Sequence, residues 1–165
     1  KTLRILRNQG QDYRYNHIKL GYNYRMRDIQ AALGKVQLGR MEWVAKKKEK
    51  IKNFYNQYFL ECDGVTTPFV PDYVSRPSWY MYTISLNKSI DRDKVKDRLK
   101  KKGIGTRRSF PPVHIQPYHS KILATNSEDF PISYGAWKQL LNLPVGITLT
   151  DNQLLKVVNA VKASI

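Results

Sequence analysis

Three segments of this chain carry side chains that a plain hydrophobic core would not need. The first is Arg7-Asn8-Gln9-Gly10, followed by His17 and then by Gly21-Tyr22-Asn23-Tyr24-Arg25. A loop dense in side-chain donors, leading into a helix N-terminus, is suited to hold a phosphate, because free backbone N–H groups and the helix dipole both favour an anion there. Asn offers a neutral donor, and Arg a planar charged fork that matches phosphate or carboxylate. The same Asn and tyrosines would also satisfy the backbone of a buried loop, and both readings stand. The second segment runs from Thr106 to His114, with Arg107, Arg108 and Phe110 ahead of Pro111-Pro112. A strand end that carries paired arginines into a rigid proline loop with a histidine can clamp an anionic ligand. A solvated arginine pair and a loop-capping histidine is the plainer use of the same residues. The third segment, Trp79-Tyr80-Met81-Tyr82, reads as core and subunit-contact aromatics rather than as a stacking platform.

Other chemistries lack their residues. There is no glycine-rich loop of the P-loop or dinucleotide type and no Gly-x-Ser-x-Gly nucleophile turn. The three histidines and one cysteine show no zinc spacing. Cys62, being alone, cannot form an internal disulfide, and it fits a reducing compartment. No apolar run approaches the roughly 18 residues needed to cross a bilayer. The formal charge is +16, from 29 Lys and Arg against 13 Asp and Glu. That excess concentrates anions of any kind, from nucleic acid to phosphorylated small molecules. It is spread over runs such as Lys46-Lys47-Lys48 and Lys100-Lys101-Lys102 rather than gathered on one recognition helix, which argues against a nucleic-acid-binding protein, the chief alternative from another class. The opening Lys1-Thr2-Leu3-Arg4 reads as the inside of a helix, so a piece of a longer protein is expected.

The elements that must position these residues follow from periodicity. Residues 1–8 end a helix that stops near Gly10, and 10–25 mix aromatics, Asn and Gly without a sustained period, which predicts an ordered loop. From Met26 to about Phe59 the pattern is helical. Ile29, Leu33 and Val36 fall at i, i+4 and i+7, Leu38, Met41 and Val44 extend the stripe, and Ile51, Phe54, Tyr55 and Tyr58 repeat it. Gly34 and Gly39 predict a kink, or close packing against another chain, near 39–42. Further on come a short edge strand at 65–69, a strand at 78–86 with Tyr80, Tyr82, Ile84 and Leu86 on one face, and a helix at 92–102 capped by Asp91 and stopped by Gly103. A strand at 104–110, an extended loop through His114 to His119, a helix from Pro131 to Gln139 and a strand at 140–143 follow. Thr150 with Gln153 makes a capping box ahead of a last helix that carries Leu154, Val158, Val161 and Ile165. The sum is an α+β domain, a three- or four-stranded mostly antiparallel sheet covered on one face by helices.

On these segments the chain resembles the DegT/DnrJ/StrS-type sugar-nucleotide aminotransferases, which have the aspartate aminotransferase fold. The matching stretches are LRNQGQ within 4–11, HIKLGYNYRMRDIQAALGKVQL at 17–38, SWYMYTISL at 78–86, DRDKVKDRLKKKGIGTRRSFPPVHIQP at 91–117 and LLNLPVGITLTDNQLLKVVNAV at 140–161. TRRSFPPVHIQP is closest to members that aminate 4-keto-6-deoxy sugars, the perosamine-synthase type among them. The resemblance implies the small C-terminal domain of a fold-type-I pyridoxal-phosphate enzyme at 41–165, joined by an interdomain helix to the end of the large domain at 1–40. It implies a cytoplasmic homodimer with active sites at the subunit boundary, a nucleotide-sugar substrate and L-glutamate as amino donor. Asn23 would reach the phosphate of the partner subunit's pyridoxal phosphate. Arg25 would lie near the anionic groups of the amino donor or sugar nucleotide, His17 and Tyr22 would shape this substrate-side loop, and Arg107, Phe110 and His114 would line the cleft from the small domain. The family's Schiff-base lysine and the Asp paired with the pyridine nitrogen have no counterpart here, so the chain alone should be inactive. Relatives that use the same cofactor for dehydration or oxidation remain the second alternative.

Overall fold

The computed structural model describes residues 1–165 and divides into two compact units, Lys1–Glu42 and Trp43–Ile165. The first opens with helix α1 (Thr2–Leu6), then a small hairpin of β1 (Gln11–Tyr13) and β2 (Asn16–His17), and continues into helix α2 (Asp28–Gly39). A hairpin therefore stands where an irregular loop was expected. Its strands are too short to show a period of two, and the pairing Gln11↔His17 and Tyr13↔Asn16 turns through Tyr15, a non-glycine residue at φ +67°. Ile5 is the one buried hydrophobic side chain of this unit. The stripe on α2 stays in solvent within the chain: Ile29 is 84% exposed, Leu33 61% and Val36 60%. An apolar stripe of that kind marks a surface made to be covered.

Helix α3 (Met41–Phe59) follows α2 after a break at Arg40, the residue that caps α2 at φ −93° and ψ −5°. The break falls where the two glycines predicted a kink. The second unit then builds a four-stranded antiparallel sheet in the order β3 (Val65–Thr66), β4 (Tyr82–Leu86), β6 (Leu140–Leu143), β5 (Arg107–Arg108). Between them lie α4 (Arg92–Lys101), a 3-10 turn at Val113–Ile115, α5 (Pro117–Leu123) and α6 (Pro131–Gln139), and α7 (Asp151–Lys162) closes the chain. Alternation sorts the central strands: Tyr82, Ile84 and Leu86 face the core opposite Leu143 and Leu141, while Thr83 and Asn142 share the other face through a 2.6 Å hydrogen bond. The core face is covered by Ile51, Tyr55 and Phe59 of α3, Val95 and Leu99 of α4, and Leu154, Val158 and Val161 of α7. The two buried phenols are satisfied, Tyr55 donating to the Pro144 carbonyl at 2.9 Å and Tyr82 to Asn56 Oδ1 at 2.6 Å. Burial pushes both well above the usual tyrosine range.

Helix ends follow their local signals. The Asp91 carboxylate accepts from the N–H groups of Asp93 and Lys94, and the bond from Lys94 is the main cause that holds it below the usual carboxylate range. At the other end Gly103 sits at φ +76°, and Ile104 N–H reaches the Leu99 carbonyl while Gly103 N–H reaches that of Lys100. Those two bonds close a Schellman stop, with Ile104 packed into the same core as Leu99. Thr150 and Gln153 form the reciprocal capping box. Three expected strands are shorter than their sequences suggest. Residues 78–81 fail to join β4 because Trp79 is left-handed at φ +46°, which leaves Tyr80 in solvent. The expected strand at 104–110 keeps two paired residues, and that at 65–69 also two. The expected extended loop from Pro111 to His119 instead turns and starts α5 at Pro117, where the fixed proline φ suits the first helical position.

Candidate functional site

In the first unit the chain from Leu6 to Gln9 runs against 22–24. Tyr22 N–H donates to the Leu6 carbonyl at 2.8 Å, Gln9 N–H to that of Tyr22 at 2.9 Å, and Tyr24 N–H to that of Arg7 at 2.9 Å. Asn8 and Asn23 pair as an isolated bridge. This close approach is possible only because both crossing points are glycine. A Cβ on Gly21 would lie 2.2 Å from the Gly10 nitrogen and 2.6 Å from the Leu6 carbonyl oxygen, and a Cβ on Gly10 would lie 1.6 Å from the Lys19 oxygen. Gly21→Ala is therefore expected to destabilise the turn by about 1–3 kcal/mol, the usual scale of overpacking. Amide exchange at Tyr22 and Tyr24 reads this out, and unchanged protection there would refute the steric account.

His17 locks the same loop. Its Nδ1 lies 2.9 Å from the Gln9 carbonyl, which can only accept, so Nδ1 donates and Nε2 is left to accept from the Gln11 amide at 3.3 Å. Both ring nitrogens are thus engaged within the loop, and they hold Gln9 in its left-handed conformation at φ +59°. The Tyr22 ring stacks on Tyr24 with centroids 5.3 Å apart. Asn23, in contrast, exposes a carboxamide that bonds nothing in the chain, and it lines a cleft of about 310 Å³ with Arg25, Met26 and Arg27. One neutral donor flanked by two guanidinium groups at the entry to α2 is chemically suited to an anion such as a phosphate.

Arg107, Phe110 and His114 lie in the second unit on one strand-and-loop segment. Arg107 pairs with Asn142 at the sheet edge with its side chain in solvent, and Phe110 is 85% exposed. The His114 ring packs at 4.7 Å against Phe130, its carbonyl accepts from Thr125 Oγ1 at 2.9 Å, and its Nε2 is buried without a hydrogen-bond partner. A buried polar atom with no partner in the chain takes one from ordered water or from a ligand. The arginine pair divides, contrary to the clamp drawn from sequence. Arg108 is taken by Asp93, with Nε to Oδ1 at 2.9 Å and Nη2 to Oδ2 at 2.8 Å, so Arg107 alone remains for a ligand. The same Asp93 holds the buried Arg92 at 2.7 Å, and Arg92 donates to the Trp137 and Leu140 carbonyls at the end of α6. Trp137 Nε1 in turn donates to the Ser109 carbonyl at 3.0 Å. Asp93 and Trp137, which hold the adjacent Arg108 and Ser109 of this segment, and Phe130, which packs on His114, were not legible as site residues, since each acts through a partner far away in sequence. No group of three His, Cys, Asp or Glu side chains is placed to hold a metal, and no helix is long and apolar enough to cross a membrane.

Comparison with known proteins supplies the family. The model of the DegT/DnrJ/EryC1/StrS aminotransferase family matches residues 1–162. GDP-perosamine synthase of Caulobacter vibrioides is 36% identical over 163 residues, covering 96% of this chain and 43% of that protein. The spore coat polysaccharide biosynthesis protein SpsC of Bacillus subtilis is 35% identical over 146 residues, covering 86% of this chain and 37% of its own length. Among solved structures, DesV of S. venezuelae in complex with a ketimine intermediate superposes with a TM-score of 0.86 at 29% identity, over 98% of this chain and 42% of that one. The chain spans about two-fifths of the length of these relatives. With its fold and its sequence both matching, the chain belongs to the DegT/DnrJ/EryC1/StrS aminotransferase family.

Proposed function

We propose that this chain is the C-terminal part of a cytoplasmic, homodimeric aminotransferase that uses pyridoxal phosphate to move an amino group from L-glutamate to a keto sugar carried on a nucleotide, for surface polysaccharide or glycan synthesis. The observation that carries this reading is the Gly21–Arg25 turn, which is pinned by backbone hydrogen bonds and presents the unpaired Asn23 carboxamide between Arg25 and Arg27. These residues fit a phosphate in donor type and in charge. When bound, the coenzyme supplies the electron sink on which transamination depends. Asn23 donates to the phosphate of the coenzyme held by the partner subunit, and Arg25 anchors an anionic group of the donor or sugar nucleotide. Tyr22 and His17 keep the turn in shape. Arg107, Phe110 and His114 line the sugar side, where the unpartnered His114 Nε2 meets a substrate hydroxyl. The exposed Ile29, Leu33 and Val36 stripe suits a subunit boundary. The catalytic lysine and the carboxylate for the pyridine nitrogen belong, in this reading, to the part of the relatives that this chain does not span.

The complete protein should purify with the visible absorption band of bound pyridoxal phosphate, and L-glutamate should bleach that band as the amino group is taken up. A complete protein that neither carries nor takes up the coenzyme would sink the proposal.

A further inference from the structure

The sheet edge that bears Arg107 has little backbone holding it. Strand β5 contributes two residues, stands last in the strand order, and pairs on one side only, Arg107 with Asn142 and Arg108 with Leu141. So short an edge opens readily by itself, because few ladder hydrogen bonds have to break. Beyond it the rings of Pro111 and Pro112 lock φ, so a displacement of β5 is passed along the chain rather than absorbed. The far end of the segment is tied separately, by Thr125 Oγ1 on the His114 carbonyl. What places Arg107 and Phe110 is therefore the hold on Arg108 and Ser109, and that hold is made by side chains.

It centres on one carboxylate. Asp93, in the first turn of α4, takes Arg108 as a two-point fork at 2.9 and 2.8 Å and Arg92 at 2.7 Å. Arg92 is buried, and its Nη1 donates to the Trp137 and Leu140 carbonyls where α6 passes into β6. Trp137 returns to the edge through Nε1 on the Ser109 carbonyl at 3.0 Å. The circuit from α4 to β5 to α6 closes on consecutive residues of the segment, and every contact in it is formed within Trp43–Ile165. A carboxylate in a first helical turn has a simpler use, to complement the helix dipole. Asp91 already caps α4, however, by accepting from the Asp93 and Lys94 N–H groups. A carboxylate shared between two guanidinium groups, one of them on another element, does more than a dipole requires.

We propose that Asp93 is a positioning residue: through Arg108 and Arg92 it fixes the 107–114 segment, and thereby the affinity for the sugar acceptor, while touching no ligand itself. This rests on the aminotransferase reading for the nature of the ligand. The test uses the complete protein with Asp93→Asn, Arg108→Gln and the two combined. Amides of 107–110 should exchange about three- to tenfold faster in each single variant, the scale of one half-exposed fork, with α7 unchanged. The double variant should be no faster than the quicker single, since both remove the same contact. Arg108→Gln leaves Arg92 its carboxylate, and it serves if Asp93→Asn does not fold. Asp97→Asn removes another α4 carboxylate, one paired with Lys96, and as the control should leave 107–110 as in the parent.

The second readout separates positioning from general damage. With a nucleotide-linked 4-keto-6-deoxyhexose as acceptor, both single variants should raise KM by about three- to tenfold at nearly unchanged kcat. L-glutamate should bleach the coenzyme band at the parent's rate. Unchanged exchange in both single variants, faster exchange in Asp97→Asn as well, or equal losses in the L-glutamate and sugar steps would each overturn the proposal. A parent that is bleached by L-glutamate but passes the amino group to no such sugar would strip the segment of its acceptor, and the proposal with it. A complete protein without the coenzyme band sinks the aminotransferase reading instead, and exchange of 107–110 still decides whether Asp93 holds the segment.

Discussion

Asn23→Asp in the complete protein is expected to weaken pyridoxal phosphate binding by at least one to two orders of magnitude, roughly the 1.5–3 kcal/mol of a hydrogen bond to a charged group. The change keeps the size and shape of the side chain and alters one atom. It replaces an N–H donor with an anionic oxygen, so a contact that favoured a phosphate becomes a repulsion. Because the Asn23 carboxamide has no partner within the chain, the substitution removes no internal bond, and fold stability should barely move. Arg25 and Arg27 beside it would soften the repulsion without supplying the lost donor. Equilibrium dialysis of the coenzyme, followed by its visible band, gives the affinity, and thermal melting of the apoprotein gives the control. Unchanged affinity would mean that the turn does not face the coenzyme. Loss of stability equal to the loss of binding would mean that it acts only as structure.

Leu141→Ala carries the largest expected cost in stability, about 2–5 kcal/mol. Leu141 is fully buried on the central strand β6, opposite Ile84 of β4 and beside Arg108 of β5. Truncation there leaves a cavity walled by a sheet on one side and by α3, α4 and α7 on the other, elements that cannot collapse independently because they share one core. Against a typical total of about 5–15 kcal/mol, a loss of this size is a large fraction of the whole. Leu155→Ala, on α7 but 37% exposed, should change stability by about 0.5 kcal/mol or less. Urea unfolding of both variants gives the comparison. Similar midpoints for the two would show that β6 does not form the centre of the core.

The arginine pair is instructive about what spacing can and cannot convey. Adjacent Arg107 and Arg108 look equivalent in sequence, yet successive side chains on a strand point to opposite faces. One meets Asp93 on α4 and is used as a strut, and the other is left at the edge facing solvent. Neighbouring residues in one motif thus have different work, and only the pleat and the position of α4 separate them.

What the sequence determined by itself is the set of features governed by contacts within a few residues. Asp91 caps α4, Gly103 and Ile104 close it, Thr150 and Gln153 cap α7, and the alternation of Tyr82, Ile84 and Leu86 marks the buried face of β4. The order of matched segments likewise carried the family, since chance agreement over that length is improbable. The tertiary structure alone decided the rest. The strand expected from Ser78 begins at Tyr82 because Trp79 turns left-handed, and the residues 11–17 pair as a hairpin because Gly10 and Gly21 let the chain cross itself. The junction of Asp93 with Arg92 and Arg108, the contact of His114 with Phe130, and the hold of Trp137 on Ser109 all join residues well apart along the chain. Local propensity acts over one turn or one strand, whereas a binding site is made where separated segments meet, and that meeting is a property of the folded backbone.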